Sequence, residues 1–194
     1  MRKFVALGTI AALGLSGQVL AADGFSYNLV EASYVNTEVD GLDVDGDGFG
    51  IGGSVAFAPN VFGFAGLTDI DYDAGLSATN FNAGLGFNWA LNPALDLVSG
   101  VSFERVKVKV SGFGSDSDSG YALNVGLRGR VGEALELTGG VKYVDLGSDL
   151  DDTTLSVGAR YYFTPAFAAG IDVSDNDDGT TWGLAVRYDF GSRQ

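Results

Sequence analysis

The sequence predicts an all-β fold, a closed antiparallel up-and-down transmembrane β-barrel with ten strands, or eight as the alternative count. Three observations predict it. The N-terminus has the pattern of a secretory signal peptide, ten strand-like runs follow it, and the connectors between the runs alternate between short turns and longer polar loops. Short turns at one end and longer loops at the other are typical of barrels in the outer membrane of Gram-negative bacteria.

Residues 1–22 form the predicted signal peptide. Two basic residues precede an apolar run at 4–15, which is too short to span a bilayer as a helix, and small residues then lead to cleavage after Ala21 or Ala22. Residues 23–194 are predicted to form a single outer-membrane β-barrel domain. No later apolar stretch reaches the ~18 residues of a transmembrane helix, so any membrane crossing must use strands.

The ten runs lie near residues 25–36, 48–57, 61–70, 79–89, 94–109, 120–131, 135–145, 153–163, 166–174 and 180–190. Most approach the roughly 9–11 residues that a tilted strand needs to cross the hydrocarbon. Four short connectors contain Pro, Gly or Asn, and they alternate with five that are mostly longer and rich in Asp, Gly and Ser. All short turns therefore lie at one end of the barrel, together with both termini.

The last run shows the two faces of such a strand. Its apolar face is continuous and consists of Trp182, Leu184, Val186, Tyr188 and Phe190. Its other face is small or charged and includes Arg187. Because side chains alternate along a strand, this pattern fits one face against lipid and the other toward a polar interior.

Charges and aromatic residues separate along the predicted barrel axis. Eighteen of the 25 acidic residues fall in five segments without Lys or Arg, namely 37–48, 69–78, 111–120, 145–153 and 172–179. The exported chain has nine basic residues and a net charge of about −16, which excludes nucleic-acid binding through phosphate neutralisation. An aromatic girdle is predicted at the turn end from Phe57, Phe62, Phe64, Phe87, Trp89, Tyr161, Phe163, Phe167, Tyr188 and Phe190.

Strand alternation also predicts a polar network inside the barrel. The residues expected to point inward are Glu31, Glu104, Arg128, Lys142, Arg160 and Arg187. Buried charges need opposite partners, so we expect the two glutamates to join the three arginines. This network either only stabilises the barrel or forms a conducting or gated path.

The whole exported chain resembles the small outer-membrane β-barrel proteins, such as the OmpA transmembrane domain and OmpX. Segments 26–37 and 45–56 look more specifically like the Ax-type outer-membrane proteins. The segment with Leu184, Val186, Tyr188 and Phe190 resembles the C-terminal signal read by the barrel-assembly machinery. This resemblance implies that the machinery is a partner of the chain. Two departures are the four residues after Phe190 and a count of ten strands where the best-known small members have eight.

One acidic segment has a metal-ligand pattern. Asp43, Asp45 and Asp47 alternate before Gly48, as in the first half of a calcium loop, but position twelve is Ser54 instead of Glu. Calcium is therefore a hypothesis for this segment, and otherwise no cofactor is expected. The absence of His and Cys excludes a Ser-His-Asp triad and a His-bound zinc, and no motif supports a carboxylate pair, so no enzyme is predicted.

Three functional classes follow from these observations. The first is a structural or cell-surface interaction barrel with acidic loops, the second a narrow channel for small solutes or ions, and the third a soluble secreted β-barrel. The expected partners are outer-membrane lipid and lipopolysaccharide, and no particular host or surface partner is indicated. The loops are expected to face outward and the termini to lie in the periplasm.

Overall fold

The computed structural model describes residues 24–39, 41, 44–147 and 151–190. The predicted signal peptide and the residues after Phe190 lie outside this range. Ten strands make up the structure: β1 (Leu29–Val39), β2 (Asp45–Ala58), β3 (Val61–Tyr72), β4 (Leu76–Asn92), β5 (Leu95–Val110), β6 (Gly114–Val131), β7 (Leu135–Asp145), β8 (Asp151–Tyr162), β9 (Phe167–Asn176) and β10 (Gly179–Asp189).

The strands form one closed antiparallel barrel in which each strand pairs with its neighbours along the chain and β1 pairs with β10. The prediction of a ten-stranded barrel is confirmed. Closure leaves no sheet edge, because every strand has two hydrogen-bonded partners. The described residues contain no helix that is long and apolar enough to cross a membrane.

Many large apolar side chains point outward, and several charged side chains point inward. Phe49 and Val157 are 70% and 62% exposed, whereas Arg128 is 2% exposed and Glu104 is fully buried. A water-soluble protein has the reverse distribution, with its large apolar side chains inside. The outward face therefore fits a lipid environment, and the predicted assembly-signal residues Leu184, Val186, Tyr188 and Phe190 all lie on it.

The two barrel ends differ less in connector length than the sequence predicts. We call the end with connectors 59–60, 93–94, 132–134 and 163–166 the turn end, and the opposite end the loop end. At the loop end the connector 111–113 replaces the predicted 111–119, because the Ser- and Asp-rich start of β6 pairs with β5, for example Ser115 with Lys109. Polar residues thus extend the ladder instead of forming loops.

The predicted first strand also begins too early. Residues 24–28 are not part of β1 but turn into the barrel at the turn end, where Phe25 and Tyr27 are 3% and 1% exposed. Inside the barrel their aromatic rings are shielded from water. At the end of the outer wall they would be more exposed.

Eight of the ten predicted girdle aromatics face outward, but Phe62 and Phe64 face the interior. Their place in the girdle is wrong because even-numbered residues of β3 point inward. Gly86 is the cross-strand partner of Phe62, and a Cβ at this glycine would meet the Phe62 ring. The glycine thus makes room for a buried aromatic ring beside the Tyr27 ring, whose centroid lies 5.2 Å away.

The barrel interior as the candidate functional site

Strand alternation places all six predicted lumen residues on inward-facing positions. Five of them are buried, with exposures of 8% or less, and Glu31 is partly buried. Arg187 faces Glu31 directly across the β1–β10 seam, where the two residues are register partners. The inward direction of Arg187, on which the predicted interior network depends, is therefore a feature of the structure.

A continuous chain of ion pairs connects opposite parts of the wall. Arg160 on β8 reaches Glu31 on β1, with Nη2 at 2.9 Å from Oε1, and also holds Asp172 on β9 at 2.6 Å. The Nε of Arg187 donates to Glu31 at 2.8 Å, and its Nη1 donates to Glu136 on β7 at 2.8 Å. Two strands separate Arg160 from Glu31 along the wall, so this contact crosses the interior.

Arg128 on β6 extends this series of ion pairs toward residues 24–28, the segment that precedes β1. Its Nη2 lies 2.8 Å from Glu136, and its Nη1 donates to the Ser26 carbonyl at 2.7 Å. Its guanidinium also lies 4.9 Å from the Phe25 ring centroid and 5.1 Å from that of Tyr27. We call Glu31, Asp172, Arg160, Arg187, Glu136 and Arg128 the central network.

A second, separate ion pair lies nearer the loop end. Lys142 Nζ is 3.1 Å from Glu104 Oε1, which also accepts a hydrogen bond from Ser102 at 2.6 Å. The predicted contact between Glu104 and the arginines is wrong. Glu104 lies eight residues beyond Asp96, the register partner of Arg128, which is about 26 Å along β5 and too far for a side chain to span.

Sequence reasoning missed two carboxylates of the central network and one buried acid near it. Glu136 is the register partner of Arg160, and Asp172 is the register partner of Gly158. Asp96, 5% exposed, accepts a hydrogen bond from the Tyr27 hydroxyl at 2.6 Å. Strand alternation was the available signal, because Glu136 precedes the outward-facing Leu137 on β7, and Asp172 lies between the outward-facing Ile171 and Val173 on β9.

Apolar clusters occupy both ends of the interior. The turn-end cluster consists of Phe25, Tyr27, Phe62 and Val98, with Phe64 against it. The loop-end cluster consists of Val35, Ile70, Tyr72, Ala78, Val106 and Val108. A cavity of about 20 Å³ lies beside Arg128, Arg160 and Arg187, which is room for about one water molecule.

The comparisons with known proteins agree with this architecture. The family model described as "Outer membrane protein beta-barrel domain" matches residues 7–163. The chain belongs to this family. The expected likeness to small outer-membrane barrels is thereby confirmed, whereas the closer likeness to the Ax-type proteins stays a prediction. Among curated proteins, none matches the chain.

Three solved structures of outer-membrane barrels are similar to this chain. OprG from Pseudomonas aeruginosa is 11% identical, with a TM-score of 0.49, and the match covers 89% of this chain and 100% of OprG. The KdgM porin is 15% identical, with a TM-score of 0.48 and coverages of 83% and 99%. Neisserial surface protein A is 12% identical, with a TM-score of 0.43 and coverages of 84% and 95%.

The calcium hypothesis is untested in this barrel. Asp43 lies outside the described residues, while Asp45 and Asp47 occupy exposed, outward-facing positions at the start of β2. Within the described ranges, no group of three or more His, Cys, Asp or Glu side chains could hold a metal ion. Calcium at this segment therefore stays a prediction that depends on Asp43.

Proposed function

We propose that this outer-membrane barrel is a non-conducting, non-enzymatic protein that stabilises the membrane and presents an acidic surface outside the cell. In this proposal the loop end faces the cell exterior and both termini lie in the periplasm. The observation that carries the proposal is the central network, whose ion pairs connect β1, β6, β7, β8, β9 and β10 across the interior.

The energetics of the interior support a closed barrel. Removing one partner from a buried ion pair costs about 3–5 kcal/mol, and a permeating ion would have to separate several such pairs at once. The two apolar clusters lie above and below the charged layer and offer a passing ion no polar contacts. An ion would therefore meet three successive barriers.

The loop end supports the proposed role at the cell surface. Outward-facing acidic residues occur there on six strands, and they are Glu38, Asp45, Asp47, Asp69, Asp71, Asp145, Asp151 and Asp175. Such a ring attracts divalent cations and basic surfaces of a matrix or host. Residues 24–28 lie inside the barrel at the turn end, which faces the periplasm in this proposal.

A narrow channel is the second candidate. The interior carries uncharged polar side chains as well as ions, including buried Asn82 and Asn88, and a cavity of about 20 Å³ lies beside the central network. If the central network rearranged, this cavity would connect with the uncharged polar side chains of the interior. Ten strands nevertheless give a barrel close in size to the filled eight-stranded ones.

Planar-bilayer recordings of the refolded chain separate the two candidates. We expect no unitary conductance from the wild-type barrel, and none from Glu133→Gln, which removes an exposed acid in a turn. The double variant Glu31→Ala/Glu136→Ala removes both carboxylates that bridge arginines, but the two apolar clusters remain, so we expect no unitary conductance from it either. Regular conductance steps from wild-type protein would contradict the closed barrel and favour the channel.

The proposed orientation is tested by labelling whole cells. The chain has no Cys, so Ser111→Cys at the loop end and Glu133→Cys at the turn end each introduce a unique thiol. A membrane-impermeant maleimide should label the first on intact cells and the second only after the outer membrane is opened. The opposite pattern would reverse the orientation.

A further inference from the structure

The outward-facing basic residues of the barrel are concentrated in one place. In the part of the chain that the structure describes, they are Arg105, Lys107 and Lys109, which alternate along β5 and are all exposed. We call these three residues the basic stripe. Among the described residues, no salt bridge involves them, whereas four other basic side chains form ion pairs inside the barrel.

Hydroxyl groups flank the basic stripe on both sides. Strand register places Thr79 beside Lys107 and Ser77 beside Lys109 on β4. On β6 the partners of the stripe are Ser119, Ser117 and Ser115, and Arg105 donates to the Ser117 hydroxyl at 3.4 Å. Three cations between two rows of hydroxyls form a donor-rich surface of the kind that binds phosphate oxygens.

This surface lies at the height of lipid headgroups. The outward face of β5 is mostly apolar from Leu95 to Phe103 and then becomes basic. From Leu95 to Arg105 is about 33 Å along the strand, or roughly 25 Å along the membrane normal at a tilt near 40°. The apolar band of such barrels is also about 25 Å tall, so Arg105 lies at its edge and Lys107 and Lys109 lie above it.

The outward faces of the neighbouring strands change from apolar to polar at the same height. On β4 the outward apolar residues end at Phe81, the partner of Arg105, and on β6 they end at Tyr121, the partner of Phe103. The nearest acids on the outward face are on β3 and β7, two strands or about 10 Å away. One of them, Asp69, accepts a hydrogen bond from the Thr79 hydroxyl. Asp116 on β6 is also exposed, at an inward-parity position between Ser115 and Ser117. The β4–β6 sector thus separates the outward acids of β1–β3 from those of β7–β9.

We infer that the basic stripe is a binding site for a lipopolysaccharide phosphate in the outer leaflet. On β1–β3 and β7–β9, outward acidic side chains repel such a phosphate unless a divalent cation bridges them. On the β4–β6 sector the phosphate binds directly to cationic and hydroxyl donors. The inference rests on the proposed outward orientation of the loop end.

The test measures lipid retention by native mass spectrometry. The refolded full chain is placed in phosphatidylcholine nanodiscs with a small fraction of rough lipopolysaccharide, and EDTA is added to remove divalent bridges. We expect bound lipopolysaccharide on the wild-type barrel, and less at high salt. Since each surface cation contributes about fivefold in affinity, Arg105→Gln/Lys107→Gln/Lys109→Gln should weaken retention on the order of a hundredfold.

Matched variants separate a local site from an effect of net charge. Lys107→Arg/Lys109→Arg keeps the charge and should retain the lipid. Asp45→Asn/Asp47→Asn removes two negative charges on β2, so an effect of net charge alone would raise retention, whereas a local site leaves it nearly unaltered. Heat-modifiable gel mobility confirms that each variant folds. Nanodiscs present the lipid on both faces, so this assay does not depend on orientation, which cysteine labelling tests separately.

Three results would overturn the inference. The first is unchanged retention in the triple variant. The second is equal retention of phosphatidylglycerol at the same mole fraction, which would indicate general attraction to anionic lipid. The third is a barrel dimer that the triple variant converts to monomer while lipopolysaccharide retention stays constant, which would make the basic stripe a contact between copies of the chain.

Discussion

Neutralising Glu136 should destabilise the barrel more than any other single loss of charge in the central network. Glu136 is 1% exposed and bridges Arg128 and Arg187, each at 2.8 Å. Glu136→Gln keeps the volume of the side chain but removes the negative charge. Arg187 retains its contact with Glu31, whereas Arg128 keeps, among the described residues, the Ser26 carbonyl and two aromatic rings.

The expected cost follows from this difference. One buried guanidinium loses its only carboxylate partner among the described residues, and breaking a buried ion pair costs about 3–5 kcal/mol. Hydrogen bonds from the arginines to the new amide oxygen recover part of the loss. We therefore expect the free energy of unfolding to fall by about 3 kcal/mol.

Urea unfolding in phospholipid vesicles, followed by tryptophan fluorescence, measures this change. Glu133→Gln is the matched control, because it makes the same substitution in an exposed turn and should change stability by less than about 0.5 kcal/mol. If Glu136→Gln also stays within this range, water reaches Arg128 and the closed interior is refuted.

Other predictions address different parts of the barrel. Lys142→Met leaves the Glu104 carboxylate buried without its cation and should cost about 3 kcal/mol, and adding Glu104→Gln should recover most of it in a double-mutant cycle. Gly86→Ala brings a methyl against the Phe62 ring and should cost about 1–3 kcal/mol by urea unfolding, relieved by Phe62→Leu. In the connector 177–178, burial and then neighbouring carboxylates raise the pKa of Asp178. A raised folded-state pKa makes stability fall as pH rises above the ordinary aspartate pKa, so Asp178→Asn should raise the melting temperature at pH 7, with the gain vanishing in acid.

Strand alternation made it possible to predict most of the fold and which residues face the barrel interior. A period of two assigns each residue to lipid or interior, and this assignment is right for Glu31, Arg160 and Arg187. The partners were harder to predict, because they depend on register and barrel closure. The contact between Arg160 and Glu31 joins residues 129 positions apart in the chain.

Two features were not predictable from alternation. The inward turn of residues 24–28 depends on a cationic partner, Arg128, that only the closed barrel brings near the Phe25 and Tyr27 rings. The strands extend past the apolar band because polar residues of β5 and β6 still complete a backbone ladder. Local composition favours a loop there, but ladder hydrogen bonds decide the structure.

Hydrogen exchange of the arginine side chains tests the closed interior most directly. The Nε–H groups of Arg160 and Arg187 donate to Glu31 at 3.0 and 2.8 Å in the barrel interior, whereas Arg105 is exposed on the outer surface. In ¹⁵N-arginine spectra of the folded barrel, we expect the first two signals to exchange slowly with solvent and the Arg105 signal to exchange rapidly. Exchange of Arg160 and Arg187 as fast as that of Arg105 would mean an open, hydrated interior and would contradict the account.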